Sequence, residues 1–303
     1  MILSEELGKI GIACECINEK EFESLGLAGY NAGKDVCTFL AAAKYAAGLS
    51  EGISMILTSQ MVYEELQEKA SLGDNYGICI VDNPRLTYFL LHNKLCDSVD
   101  YARPYFKTRI AGSAEISPLA YIAPYNVEIG ENTVIEEFAA IKENTVIGDD
   151  CVIRTGTKIG GSGFEIKNDG AKTITVKHIG GVKIGNNVEI QQNSNVDKAI
   201  YPWDDTVLED HVRVNSLVQI AHGDKIGRFT EIVAHASIQG RVHIGENVWI
   251  GPGCVLRNGI SIGDNARVNM GAVVTLSVPA GASVSGNFAR EHSTLIEEMK
   301  LYK

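Results

Sequence analysis

From Ile110 an aliphatic residue returns at every sixth position through Ile116 and Ile122. After a one-residue slip it continues at Ile129, Ile135, Ile141, Ile147, Ile153 and Ile159. The period resumes at Ile184, Ile190 and Val196. It runs again from Leu208 through Val214, Ile220, Ile226, Ile232, Ile238, Ile244, Ile250, Leu256, Ile262, Val268 and Val274. A spacing of six fits neither the 3.6 of a helix nor the plain alternation of a strand. Compact residues often sit two places earlier (Thr133, Ala139, Thr145, Cys151), and turn formers follow, as in Gly148-Asp149-Asp150. These are the marks of a left-handed parallel β-helix of hexapeptide repeats. Each repeat makes a short strand and a corner, and three repeats close a coil of about 18 residues. The aliphatic side chain stacks inside a narrow three-sided prism, the compact one leaves room beside it, and Gly, Asn and Asp tolerate the corner.

The rest of the 303-residue chain is organised around that prism. Residues 1–105 lack the period and read as a small α/β domain, 106–284 as the β-helix, and 285–303 as a helical tail. In the first domain, TFLAAAKYAA at 38–47 reads as a helix stopped by Gly48. Ile53–Thr58 and Tyr76–Val81 read as strands. Ser59 is a cap for a helix ending near Ala70, and Asn83 or Asp82 caps another that has Pro84 in its first turn. Two breaks interrupt the period, GGSGFEIKNDGAKTITVK at 160–177 and DKAIYPWDD at 197–205. In the first, Gly163 allows close approach of a ligand beside Phe164. In the second, Tyr201 and Trp203 are candidates for packing between subunits. The tail, with Leu295 and Met299 one turn apart, is expected to cover the open end of the last coil.

A formal charge of −11, from 27 basic and 38 acidic residues, disfavours nonspecific nucleic-acid binding. No apolar run reaches the roughly 20 residues of a membrane span. The N-terminus lacks the flanks of a signal peptide, and seven Cys form no CxxC pair, so a reducing cytoplasm is the expected compartment. The seven His include no HExxH, and no Cys/His set has zinc-site spacing, so no metal is expected. His222 stands out because it lies two places past the inward Ile220, at a rigid corner, and Gly240 lies one coil further on. A near-neutral imidazole can take a proton from an attacking amine or hydroxyl, and a bare glycine N–H can face the oxyanion of acyl transfer. A corner histidine with only a surface role fits the sequence equally well. His211 and His235 occupy other corners.

The lattice together with TFLAAAKY at 38–45, VDNPRLTY at 81–88, GGSGFE, DKAIYPWDDT and NSLVQIAHGDKIG at 215–227 resembles the UDP-3-O-acylglucosamine N-acyltransferases of the lipid A pathway. That resemblance implies a cytoplasmic homotrimer that moves an acyl group from a thioester co-substrate, acyl carrier protein or acyl-CoA, to the amine of a UDP-linked amino sugar. It implies no tightly bound cofactor. It puts the base on His222 and the oxyanion donor on Gly240, places Phe39 and Tyr45 near the uracil, and adds Gln219 to the substrate-binding candidates. The chain departs from the family where GGSGFE replaces GSDGFG, where Asn258-Gly259-Ile260 replaces an NGH segment, and in its short tail. A non-catalytic sugar-nucleotide-binding or scaffolding protein is the alternative function.

Overall fold

The computed structural model describes residues 1–29, 33–69, 75–168, 170, 173–286 and 291–301. The chain divides into two compact units. One comprises Met1–Phe106, Ser162–Gly181 and Lys198–Asp205; the other comprises Lys107–Gly161, Val182–Asp197 and Thr206–Lys303. Most of each break in the hexapeptide period therefore belongs to the first unit.

The second unit is the left-handed parallel β-helix. Its short strands form three sheets of nine, eight and eight members, and neighbours in a sheet come from successive coils. Inward aliphatics pair in register up the stack, Ile116 with Ile135, Ile135 with Ile153, Ile232 with Ile250 and Ile250 with Val268. The breaks lengthen two coils without disturbing that register: Ile153 pairs with Ile190, and Ile190 with Val214. Ile141, Ile153, Ile190, Leu208, Ile220, Ile238, Ile250 and Val268 are all buried. Each contributes about 1.5–3 kcal/mol of apolar transfer. The first coil is different, since Ile110 remains 45% exposed at the open end of the stack.

Corners take left-handed backbone at Asn126, Asn132, Asn144, Asp150, Asn187, Asn193, Asn247 and Asn265, with φ between 54° and 63°. These residues tolerate that conformation because their short polar side chains bond locally. Phe138, Leu217 and Phe229 adopt it as well, with no such compensation.

The first unit carries a five-stranded sheet built from β1 (Glu15–Ile17), β2 (Ser24–Leu25), β3 (Val36–Leu40), β4 (Ile53–Thr58) and β5 (Gly77–Ile80), in the order β1-β5-β4-β3-β2. Only β1 runs antiparallel to its neighbour. Helices α1 (Leu3–Gly8), α2 (Gln60–Glu68) and α3 (Pro84–Leu95) complete it. The Ser59 hydroxyl accepts from Val62 N–H at 3.4 Å and the Asn83 carboxamide from Leu86 N–H at 3.1 Å, with Pro84 as the first helical residue. The helix expected over 38–47 is instead the end of β3 followed by a 3-10 turn, Ala43–Gly48. Thr38 and Leu40 are drawn into the buried sheet, where pairing with β4 outweighs the local helix propensity of the alanines. Ala70 lies outside the described residues.

Both breaks are tied into this unit. The carboxamide of Asn93, on α3, donates to Thr175 O and accepts from Lys177 N–H, each at 2.8 Å. The Arg103 guanidinium donates to Pro202 O, Asp204 O and Asp205 Oδ1 at 2.6–2.8 Å. Tyr201 and Trp203 do not wait for another subunit: their rings stack at 5.4 Å, Tyr201 is buried, and the Trp203 indole donates to Leu25 O at 2.8 Å.

The tail forms α4, His292–Leu301. Its described side chains are exposed, and those of Leu295 and Met299 lie outside the described residues. The stack ends on Ser283–Val284 paired with Arg267–Val268, with Val278 bridged to Ile262. No described helix is long and apolar enough to cross a membrane.

Candidate active site

The corner that carries His222 is held by side chains inserted into the lattice. Thr206 Oγ1 donates to Asp197 O at 2.6 Å and accepts from Gly223 N–H at 2.8 Å. Gly223, at φ 74°, makes the turn. Asp224 occupies the inward slot two places before Ile226, where other coils carry Thr, Ala or Cys. Its carboxylate accepts from Ala221 N–H at 3.1 Å and from Val242 N–H, one coil on, at 2.8 Å. Burial pushes this carboxyl well above the usual range, opposed by the two amide donors. The loop is closed by Arg241 N–H donating to His222 O at 3.0 Å. His222 therefore rises from a backbone fixed on both sides.

Its buried imidazole lies flat against the next coil. A Cβ at Gly240 would sit 2.7 Å from Cε1, 2.8 Å from Nε2 and 3.1 Å from Nδ1 of His222. Only glycine leaves room for the ring there. Among the described residues nothing accepts from the Gly240 N–H, while its carbonyl accepts from Gly259 N–H at 3.1 Å.

A third group, which the sequence reading passed over, completes the neighbourhood. Asp197 is buried at 7% exposure, with Asn195 Nδ2 donating to Oδ1 at 2.6 Å and Gln219 Nε2 to Oδ2 at 2.8 Å. Burial raises its pKa; the two carboxamide donors and the charge of His222 pull it back down. The Gln219 carboxamide is thus engaged by Asp197, and its own oxygen accepts from Asn195 at 3.1 Å. The available signal was a carboxylate immediately after the inward Val196, beside a break in the period. His211 instead stacks on Phe229, with ring centroids 4.6 Å apart, and His235 is exposed.

The remaining candidates belong to the first unit. Phe39, on β3, is half-buried, with its centroid 4.9 Å from Tyr88 and 6.1 Å from Phe89. Tyr45, on the 3-10 turn, is 52% exposed under the Lys44 ammonium. Phe164 is 90% exposed beside half-buried Gly163. The next residue, Glu165, pairs with Lys167, whose buried ammonium stands 4.4 Å from the Phe89 centroid.

Stacked hexapeptide coils define a hexapeptide-repeat protein, and the bacterial transferase hexapeptide family model matches residues 126–161 and 241–275. The similarity is more particular than the repeat. The chain is similar to the UDP-3-O-acylglucosamine N-acyltransferases of Rickettsia akari, 47% identical over 90 residues, and Delftia acidovorans, 29% identical over 134 residues. These alignments cover 30% and 44% of this chain and 25% and 39% of the relatives, so the matched stretch spans well under half of their length. Among solved structures, the UDP-N-acetylglucosamine acyltransferase of Francisella novicida is 22% identical, with 63% of this chain and 71% of that one covered and a TM-score of 0.49.

Proposed function

We propose that this protein transfers an acyl group from a thioester, carried by acyl carrier protein or CoA, to the amine of a UDP-linked amino sugar. The observation that carries the reading is the His222 imidazole held against Gly240. His222 takes a proton from the amine as its nitrogen attacks the thioester carbonyl. The carbon–nitrogen bond forms, the carbonyl oxygen becomes anionic, and the Gly240 N–H donates to it. Collapse breaks the carbon–sulfur bond, and the imidazolium returns the proton to the departing thiolate. Asp197, oriented by Asn195 and Gln219, stabilises the imidazolium between these steps. It is a positioning residue and does not touch the reacting atoms.

Phe39 and Tyr45 stack on the uracil, and Gly163 with Phe164 line its approach; this part rests on the family resemblance and on the exposure of Tyr45 and Phe164. The same resemblance supports a homotrimer as the working form.

The test offers UDP-amino sugars to the full chain with acetyl-CoA, longer acyl-CoAs or hydroxyacyl carrier protein, and reads product mass. Transfer is expected with at least one pair, and His222→Ala is expected to lower kcat/KM by about 10²–10⁴ without loss of UDP-sugar binding. Binding without transfer from any donor would overturn the enzymatic reading in favour of a sugar-nucleotide-binding scaffold.

A further inference from the structure

The first unit contains a cluster of thiols that acyl transfer does not use. On the antiparallel β1–β5 ladder Cys16 stands directly opposite Cys79. Cys14 lies two residues before Cys16, immediately ahead of β1. The sulfurs of Cys14, Cys16 and Cys79 all lie within 4.8 Å of one another. Cys79 is buried, whereas Cys14 and Cys16 are half-buried, so the cluster is anchored in the core yet open from one side. That side adjoins a hollow lined by Cys14, Ser59, Gln60, Met61 and Asp82.

The separation of 63 residues between Cys16 and Cys79 gives no zinc-like spacing, which is why the sequence showed only scattered cysteines. Burial raises the Cys16 thiol to about 12 and pushes Cys79 up as well.

We propose that Cys14, Cys16 and Cys79 form a three-thiolate site for a thiophilic d10 cation, Zn(II) or Cu(I). Sulfur is the donor such ions prefer over harder competitors. With metal–sulfur bonds of about 2.3 Å, thiolates on one ion stand roughly 3.8 Å apart, so the three side chains have to close by no more than about 1 Å. A Zn(II) ion takes a water on the open side as its fourth ligand. A Cu(I) ion is satisfied by the three sulfurs alone. Binding displaces the thiol protons to solvent, with no change of oxidation state. Because a metal there would clip β1 to β5, the role is structural and independent of the acyl-transfer proposal.

The experiment uses the full chain, reduced and metal-stripped under anaerobic conditions. Titration with Co(II) is expected to give sulfur-to-metal charge-transfer absorption saturating at about one equivalent per chain. Zn(II) then displaces the cobalt, while a competition series with a Cu(I) chelator separates the two ions: tighter retention of one identifies the site's metal. Cys79→Ser should abolish the signal. Cys14→Ser, at a partly exposed position that leaves the sheet core intact, should weaken binding at least about tenfold, whereas Cys254→Ser, in the prism, should leave it unchanged. Absence of charge transfer at stoichiometric metal, or equal affinity in the Cys14→Ser protein, would overturn the proposal.

Discussion

The prism and the α/β unit are stabilised in contrasting ways. In the prism nearly every buried aliphatic is answered by an equivalent one coil away, as Ile232 is by Ile250 and Ile250 by Val268. In the α/β unit the contacts that matter join distant stretches: Trp203 reaches Leu25, Asn93 reaches Thr175, and Arg103 reaches Asp205. A quasi-one-dimensional stack confines damage to neighbouring coils, whereas a unit held by contacts between distant stretches transmits it. The chain holds two tryptophans, Trp203 in the α/β unit and Trp249 in the prism, so Trp→Phe variants with one remaining give each unit its own unfolding signal.

The largest expected effect is on the stitched unit. Tyr201→Ala removes a buried ring that contacts Tyr88, His92 and Trp203. It should lower stability by about 4 kcal/mol in the Trp203 transition, with the Trp249 transition unmoved. An equal loss in both signals would break the comparison.

Acid should separate the two units next. His92 Nε2–H donates to Lys177 O at 2.8 Å and Nδ1 accepts from Tyr101 Oη at 3.0 Å. Burial lowers its pKa from 6.5 to about 4. The unfolded chain therefore takes up this proton first as pH falls. The stabilisation is present above pH 6.5 and lost on the way down to about 4, amounting to roughly 3 kcal/mol. Asp224 and Asp197 in the prism are raised, which gives the opposite sign: their folded forms hold protons more tightly, so they favour folding as pH falls. Denaturation midpoints of the two single-tryptophan proteins between pH 7 and 4 would check this, and parallel losses would count against it.

Asp224→Asn sharpens the comparison inside the prism. Both Asp224 oxygens accept backbone N–H groups, and an amide offers only one acceptor. A loss of about 2 kcal/mol is expected on the Trp249 signal, with the proposed acyl-transfer activity falling because the His222 corner loosens. The smallest effect is a gain. Phe138 is 64% exposed at φ 61°, and Phe138→Asn should stabilise the prism by about 0.5–1 kcal/mol by relieving left-handed strain; a loss would mean that the ring has a packing partner in the assembled protein.

Much of the prism was legible because its code is local. One aliphatic per six residues fixes strand, corner and register together, and the histidine–glycine juxtaposition follows from counting one coil. The helix expected at 38–47 failed because a run of alanines states a preference that sheet pairing overrides. Asp197 escaped notice for a related reason: an acidic residue beside a break reads as surface until Asn195 and Gln219 are seen to converge on it.

What the sequence alone determined, then, is the repeat architecture and the His222–Gly240 pair, since neighbours in a coil stack are set by a constant interval along the chain. Tertiary structure alone decided that Ser162–Gly181 and Lys198–Asp205 join the α/β unit, that Tyr201 and Trp203 pack within the chain, and that Cys14, Cys16 and Cys79 meet. Those contacts close loops of many tens of residues, and no interval in the sequence encodes which distant segment will offer the complementary surface.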